Sequence, residues 1–508
     1  MERCNDVELD SVAVKQESVY ERLLKSVNLQ PYNCPIKLDE FADVDKISDT
    51  SESERLTGAI SVLLSLLDEG GENYDKIDKH LIDQLIATID EKIGEQLDEI
   101  LHNKDFQELE STWRGLRFLI GRTDFTQNIK IELLDAQKSE VIEDMVESID
   151  LTQSSLYNWT YTQEYDTPGG EPYSAIISSY DFGNNAQDLS FLRNISKISA
   201  SCHMPFIGAV NSNFFGKKSM EDVANIKDIN SFFQKAEYIK WNNFRKDEDS
   251  RYIGLVLPRF LSRLPYSNKD NPIKGFSYNE SVKGNEHDKY LWSNASFAFA
   301  SNLVNSFAAS GWCVQIRGPQ SGGIVEDLPI HVYDLGTGNE IKIPTEILIP
   351  ETREFDFSNL GFIPLSFYKN KDYACFFSAN SVQEPELFAS AEANANSKIN
   401  TKLPYIFLSS RLAHYLKVLQ RENIGVTKDR KKLEHELNSW IQNLVTEMNS
   451  PSEELMSTHP LKKALIQVED IPDNPGFYRV KMYVSPHFQV EGLDINLSLV
   501  SHLPKEKE

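Results

Sequence analysis

The sequence predicts an α/β protein in which mixed sheets are flanked by helices. Leu81–Leu97 and Phe106–Ile120 carry apolar residues every three or four positions, which predicts two amphipathic helices. From Ile129 to Leu335, β-rich runs alternate with helical stretches, as in a largely buried sheet covered by helices. Near the end of the chain, apolar and polar residues alternate one by one, which is typical of half-buried strands.

Several elements can be placed along the chain. Four β-rich runs are expected, at Ile129–Leu134, Phe206–Val210, Tyr252–Leu257 and Cys313–Ile316. One helix is predicted to end near Gly425, where glycine can adopt the left-handed conformation that terminates helices. A long helix follows, because the apolar residues between Leu433 and Met448 share one face.

The composition is that of a folded protein with more than one domain. Apolar residues make up 40% of the chain and charged residues 25%, which excludes a mainly disordered chain. The length of 508 residues suggests about three domains. We predict a tail, short helix and linker arm over residues 1–60, a main α/β domain over 61–385, and a domain with helices and a terminal β-hairpin over 386–508.

The charge argues against nucleic acid as a partner. The net charge is −25, whereas proteins that bind phosphate backbones cluster Lys and Arg. Residues 1–110 hold 27 Asp and Glu against 11 Lys and Arg, so the excess is concentrated near the start. Solvated helix faces account for such an excess, and a high net charge also favours solubility.

The cysteines and the apolar runs point to the cytoplasm and away from a membrane. The five cysteines lie far apart and form neither a C-x-x-C pair nor a disulfide framework: Cys4, Cys34, Cys202, Cys313 and Cys375. The longest apolar stretch, Ile60–Leu67, is too short to cross a bilayer, and the first residues do not resemble a signal peptide.

The first 60 residues combine a tail, a helix and an arm. A short helix is predicted from Ser18, with one apolar face formed by Tyr20, Leu23, Leu24 and Val27, and Pro31 prevents its continuation. Gln30–Glu54 is predicted to form an extended arm. The helix either docks in a groove of another protein or packs locally, and the sequence favours neither.

The end of the chain is predicted to form a β-hairpin over Phe477–Val500 that turns at Glu491-Gly492. Its first strand places Tyr478, Val480, Met482 and Val484 on one face, and its second strand places Leu493, Ile495, Leu497 and Leu499 on one face. A terminal hairpin has an open edge, which is either blunted or paired by another chain.

The residues that could carry chemistry favour structural interpretations. The glycine-rich loop Arg317–Gly323 lacks the Gly-Lys-Ser/Thr end of a phosphate-binding loop, so a turn is favoured. Cys202 and His203 are adjacent in sequence, and Ser410 and His414 lie on a predicted helix without a strained elbow. The histidines are dispersed. We therefore predict no enzyme activity and no catalytic, cofactor-binding or metal-binding residues.

A set of short segments carries a resemblance to a known family. They are Glu110–Leu116, Gly169–Tyr173, Arg263–Tyr266, Tyr290–Ala295, Trp312–Gly318, Arg353-Glu354, Gly361–Leu365, Leu403–Tyr405, Ser410–Lys417 and Pro486–Gly492. Each segment is weak alone, but their shared order is specific. From Glu108 to Pro504 the chain resembles the large sheath subunit of bacterial type VI secretion systems, the TssC/VipB family, called IglB in one divergent branch.

The resemblance implies a contractile-tail-sheath-like fold and a mechanical role. Copies of the large subunit would co-polymerise with a small subunit (TssB/VipA) into a helical tubule around an inner tube of Hcp, above baseplate proteins, and contraction would propel the tube and effectors out of the cell. Extended arms of neighbouring subunits join the C-terminal strands in such sheaths, which makes Gln30–Glu54 the candidate donor. In many members the AAA+ unfoldase ClpV binds an N-terminal helix, where Tyr20 to Val27 lie here.

Two other interpretations stay open from the sequence. The chain could be a phage-tail-like contractile sheath protein that assembles alone. It could also be a phosphate-binding α/β enzyme that uses the loop Arg317–Gly323.

Overall fold

The computed structural model describes residues 79–282, 284, 286–334, 338–425, 429–446, 448, 451–470 and 478–487. These residues form two compact units. The smaller unit contains the described residues up to Trp113 together with Arg263–Leu291 and His331–Lys342. The larger unit contains Arg114–Ser262, Trp292–Ile330 and the described residues from Ile343 onward.

Helices and strands alternate through much of the described chain. The helices are α1 Lys79–Leu101, α2 Lys104–Gly121, α3 Lys138–Glu147, α4 Ala186–Cys202, α5 Met220–Ala224, α6 Ile229–Phe233, α7 Ile239–Arg245, α8 Ala295–Ser310, α9 Glu351–Asn359, α10 Ala391–Asn400, α11 Leu403–Glu422, α12 Arg430–Gln442 and α13 Glu453–Thr458. The strands are β1 Ile176–Phe182, β2 Phe206–Val210, β3 Ile253–Leu257, β4 Phe260–Leu261, β5 Trp292–Ser293, β6 Ile324–Val325, β7 His331–Asp334, β8 Asn339–Lys342, β9 Phe362–Phe367, β10 Ala374–Phe376, β11 Leu461–Asp470 and β12 Tyr478–Pro486.

The larger unit is organised around a mixed sheet. Within the described residues this sheet has six strands in the order β1-β2-β3-β9-β10-β6. The first four run parallel, and β10 is antiparallel to both of its neighbours. The central strands β2 and β3 are buried at every position, because parallel strands joined by helical crossovers have both faces covered.

Successive residues of the central strands enter two different cores. On β3, Ile253, Leu255 and Leu257 face one core, to which α3 and α4 contribute. Val256 faces the other core, to which α8 and the start of α11 contribute. This alternation follows from the two-residue period of a strand, and it gives three layers: helices, sheet and helices.

The smaller unit holds a buried cluster of charges. The Arg263 guanidinium donates to Glu110 (Nε to Oε1, 2.9 Å) and to Glu280 (Nη1 to Oε2, 2.6 Å). Burial would raise the pKa of Glu280, but hydrogen bonds from His102 and Arg263 hold that pKa below its ordinary value. Because removing one member would leave a buried charge unpaired, the cluster ties the segment around Arg263 to the first two helices.

The structure confirms the predicted α/β class and most of the placed elements. The helices predicted over Leu81–Leu97 and Phe106–Ile120 are α1 and α2, and the runs Phe206–Val210 and Tyr252–Leu257 contain β2 and β3. The helix predicted to end near Gly425 is α11, and Gly425 has a φ of +82°. The predicted division into residues 1–60, 61–385 and 386–508 stays a prediction.

Three predicted elements were wrong. Ile129–Leu134 forms no strand, because no described segment pairs with its backbone, and side chains fasten it instead, such as that of Lys130 to Glu171. Cys313–Ile316 is also not a strand, since the Gln315 N–H bonds to the Ser306 hydroxyl rather than to a neighbouring strand. The long helix stops at Gln442 and does not reach Met448, because Val445 pairs with Leu461 instead.

None of the helices in the described part of the chain is long and apolar enough to span a membrane.

Gly115 on α2 tests the packing of the larger unit. A Cβ at Gly115 would lie 2.4 Å from Cδ2 of Phe297 on α8, whereas a Cβ at Gly121 of the same helix would meet nothing within 4 Å. We expect Gly115→Ala to lower the free energy of unfolding by roughly 1–3 kcal/mol, because overpacking outweighs the gain in helix propensity. Gly121→Ala should leave the free energy of unfolding unchanged or raise it. Urea unfolding measures both, and equal stabilities would contradict this account of the contact.

Candidate functional site

The described end of the chain forms a two-stranded antiparallel sheet. Strand β11 pairs with β12 along nearly its whole length, from Lys463 opposite Ser485 to Asp470 opposite Tyr478. The larger unit supports this sheet on one face and leaves the other face exposed. A two-stranded sheet retains two edges, so the pairing of each edge decides what the sheet can bind.

One face of the sheet packs on helices. Ile466 and Val468 are buried, and Val480 and Met482 are partly buried in the same core. Leu437 and Ile441 of α12 and Leu412 of α11 complete that core, as does Trp312. The opposite face is exposed and carries Leu465 and Tyr483, which face each other across the two strands. The exposed fractions of these residues are 48% and 53%.

The outer edge of β11 is bonded within the chain. The Asn438 amide donates to the Ile466 carbonyl (2.7 Å), and its oxygen accepts from the Ile466 N–H (2.9 Å). Gln442 donates to the Ala464 carbonyl (3.1 Å) and Arg430 to the Val468 carbonyl (3.2 Å). These three side chains come from α12, and they occupy the Ile466 N–H and the outward carbonyls of Ala464, Ile466 and Val468, which a further strand would use.

At the first residue of β11, main-chain hydrogen bonds occupy the outer edge instead of side chains. The Thr446 N–H donates to the Leu461 carbonyl (2.9 Å), and the Leu461 N–H donates to the Leu444 carbonyl (3.3 Å). The turn that follows α12 therefore continues the closure that the helix begins.

The outer edge of β12 is open within the described residues. Because Ile466 directs its N–H and C=O outward, its cross-strand partner Met482 does the same on the opposite edge, as do Val480 and Val484. No described residue bonds to these outward groups. An unpaired strand edge of this kind is a template for strand addition. The added strand comes either from another chain or from residues 493–499, which the predicted hairpin over Phe477–Val500 would place here.

The structure brings together only part of the predicted pairing site. Tyr478, Val480, Met482 and Val484 lie on β12 as predicted, with their side chains toward the helices. Leu493, Ile495, Leu497 and Leu499 lie outside the described residues, as do Tyr20, Leu23, Leu24 and Val27. Their roles stay predictions.

Strand β11, which is the described partner of β12, was not predicted from the sequence. Ala464, Ile466 and Val468 alternate with more exposed residues, which is the period of a half-buried strand. The residues between the two strands, Ile471–Phe477, include Pro-Asp-Asn-Pro-Gly, a run of strong turn formers. These two signals together predict a hairpin, but the two adjacent lysines after Leu461 obscure the start of the alternation.

The glycine-rich loop Arg317–Gly323 closes on itself and on the sheet. The Gly318 N–H donates to the Phe376 carbonyl (2.7 Å), and the Gly323 N–H donates to the Gly318 carbonyl (2.9 Å). Gly318 and Gly322 both have a φ of +76°, which glycine adopts without strain. Because these amide groups are bonded to β10 and within the turn, they are not arranged to cradle a phosphate.

The cysteine and histidine candidates are buried in structural contacts. Burial raises the pKa of the Cys202 thiol to about 11, which disfavours the reactive thiolate. The His414 ring donates from Nε2 to the Cys202 carbonyl (2.8 Å), while His203 bonds through Nδ1 to the Tyr252 hydroxyl (3.1 Å). Ser410 is buried on the same helix as His414, and its hydroxyl makes no hydrogen bond to the described residues around it.

The described ranges contain no group of three or more side chains placed to hold a metal ion.

Comparisons with known proteins point to one family. Residues 83–383 match the family VipB, described as EvpB/VC_A0108, tail sheath N-terminal domain. Residues 392–503 match VipB_2, described as EvpB/VC_A0108, tail sheath gpW/gp25-like domain. A curated relative, the type VI secretion system sheath protein TssC1 of Pseudomonas aeruginosa, is 40% identical over 431 residues, which are 84% of this chain and 86% of the relative.

Solved structures of contractile assemblies are more distantly similar. A chain of the anti-feeding prophage baseplate is 8% identical with a TM-score of 0.38, and the match covers 74% of this chain and 84% of that one. A chain of the contracted anti-feeding prophage sheath is 8% identical with a TM-score of 0.31, covering 61% and 66%. The family assignment rests on the sequence matches.

His414 predicts a defined sensitivity of the fold to acid. Burial lowers the pKa of His414 to about 4, below its ordinary value of 6.5. The unfolded chain therefore takes up this proton first as the pH falls, so stability drops below pH 6.5 and levels off below pH 4. Between pH 7 and pH 5 we expect the free energy of unfolding of the wild type to fall by about 2 kcal/mol more than that of His414→Gln. The glutamine can still donate to the Cys202 carbonyl. Urea unfolding at both pH values measures these free energies. An equal fall for the wild type and His414→Gln would rule out the proposed role of His414.

Proposed function

Because the chain belongs to the VipB family of tail sheath proteins, we propose that it is the large subunit of a type VI secretion sheath and co-polymerises with the small subunit TssB/VipA. The family is structural, so the chain is a component of a polymeric assembly and not an enzyme. Contraction of that assembly propels an inner tube and its effectors out of the cell.

The observation that supports strand exchange is the open edge of β12. Val480, Met482 and Val484 direct backbone N–H and C=O groups outward, and no described residue pairs with them. In a lattice of identical subunits, an extended segment of a neighbour can complete this edge by main-chain hydrogen bonds. The arm Gln30–Glu54 supplies a segment of suitable length in every copy.

A second observation favours an additional partner chain. Ile89 and Ile93 of α1 and Leu109 and Trp113 of α2 are exposed in the smaller unit, and 61% of the Trp113 surface is accessible. Each helix therefore has an apolar stripe that the described residues cover only in part. Exposed apolar stripes of this kind are sites of protein association, and the small sheath subunit is the partner that the family implies.

The other partners follow from the same proposal. The tubule encloses an inner tube of Hcp and stands on baseplate proteins in the bacterial cytoplasm, and it contacts neither nucleic acid nor membrane. The energy of contraction comes from a lattice that relaxes to a state with more buried surface, which requires no nucleotide in this chain. The unfoldase ClpV recycles the contracted sheath through Tyr20, Leu23, Leu24 and Val27.

The rival functions are less well supported. The compact turn at Arg317–Gly323 uses its own amide groups, which removes the basis for phosphate binding. A sheath that assembles from this chain alone would form tubules in the absence of a small subunit.

Tubule formation tests the proposed function. Co-expression of the chain with a small sheath subunit should give tubules in negative-stain micrographs. Removing Phe477–Glu508 should prevent them, because it removes β12 and its open edge. Removing residues 30–54 should also prevent them, and that deletion leaves the described core untouched. Dispersed heterodimers from the intact pair would contradict the proposal, and tubules from the isolated chain would favour the rival sheath.

The helix near Leu23 is tested separately from assembly. We expect Leu23→Asp together with Leu24→Asp to abolish capture of contracted sheaths by ClpV, because two charges replace the centre of the apolar face. Tubule formation should be unchanged. A pull-down with the unfoldase measures capture, with Glu21→Ala as a control on the polar side of the same segment. Undiminished capture would remove this role.

A further inference from the structure

We propose that helix α12 shuts the β11 edge, so that neighbouring strands enter this sheet only beside β12 and therefore in a fixed order. This inference rests on the strand exchange proposed above and identifies the residues that control it. They are Arg430, Asn438 and Gln442.

Asn438 is the central residue of this closure. Its side-chain amide exchanges two hydrogen bonds with the backbone of Ile466, at 2.7 and 2.9 Å, as a residue of an adjacent strand would. An asparagine can do this because its side chain carries both a donor and an acceptor. An incoming strand would have to break both bonds before it could pair at Ile466.

The other two residues extend the closure in both directions. Arg430, Asn438 and Gln442 are eight and four residues apart, so they lie on one face of α12. They reach the outward carbonyls of Val468, Ile466 and Ala464, which are spaced by two residues on β11. Four helical residues rise about 6 Å and two strand residues about 7 Å, so Asn438 and Gln442 reach successive outward carbonyls. Arg430 lies two turns before Asn438, and its longer side chain reaches back to the third carbonyl.

The consequence is an order of strand addition. The first incoming strand must bond to the outward groups of Val480, Met482 and Val484, because only that described edge is open. A second incoming strand then finds its partner groups on the free edge of the first strand. The first incoming strand, which lies next to β12, is therefore required before the second incoming strand can join. The sheet cannot be extended on both sides.

A matched pair of proline substitutions tests which edge is used. Ala464 and Val484 face each other across the sheet, and the N–H of each points outward, away from the other strand. Proline at either position removes an N–H that no described residue accepts, so the hairpin itself should persist. Val484→Pro should abolish tubules formed with the small subunit, whereas Ala464→Pro should leave them intact. Thermal unfolding of each dispersed chain verifies that it is folded.

A helix variant tests the closure itself. Replacing Arg430, Asn438 and Gln442 with Ala opens the β11 edge, and we expect the isolated chain to self-associate in sedimentation experiments. The control replaces Lys431, His435 and Ser439 with Ala, which are exposed residues of the same helix. Adding Ala464→Pro to the open-edge variant should restore the dispersed state, because it blocks the newly opened edge.

The outcomes separate this inference from the proposed function. Loss of tubules with Ala464→Pro in a folded chain would overturn the single-edge claim while leaving strand exchange intact. Tubules that survive both prolines would overturn strand exchange itself. An open-edge variant that stays dispersed, like its control, would show that the three side chains do not guard the edge.

Discussion

A strand edge must be paired, and this requirement organises the end of the chain. Removing backbone N–H and C=O groups from water without giving them partners costs free energy, and an exposed edge invites pairing by another strand unless something else covers it. The sheet of β11 and β12 has one edge of each kind. Side chains of α12 substitute for a strand along β11, whereas Val480, Met482 and Val484 on β12 remain available.

The rest of the larger unit holds this asymmetric sheet in place. Helix α11 contributes Leu403, Ile406 and Phe407 to the core beside the six-stranded sheet, and Leu408 and Leu412 to the core beneath β11 and β12. One continuous helix therefore joins the two cores. Strands exchanged between subunits transmit a load only if the sheet that receives them is rigidly connected to its own subunit. A sheath subunit therefore needs a connection of this kind.

The elements that followed from sequence were those whose local period and tertiary environment agree. Helices α1 and α2 have clear stripes, and β2 and β3 are short apolar runs bounded by turns. Ile129–Leu134 has the composition of a strand, but no described strand pairs with it, and composition does not show which segments the fold brings side by side. The closure of β11 was beyond sequence reasoning for the same reason: Asn438 is an ordinary polar residue of a helix until the fold brings it to Ile466. Strand β12 was predictable, but its partner β11 was masked by consecutive lysines.

Amide hydrogen exchange along β11 and β12 tests the central claim most directly, because it reports the pairing of each backbone N–H. In the dispersed chain, the Ile466 amide should exchange slowly and those of Val480, Met482 and Val484 rapidly. After polymerisation with the small subunit, the three β12 amides should become protected while Ile466 stays unchanged. Protection of the β12 amides already in the dispersed chain would contradict the account, because that edge would then be completed by the chain itself, as a hairpin over Phe477–Val500 would do.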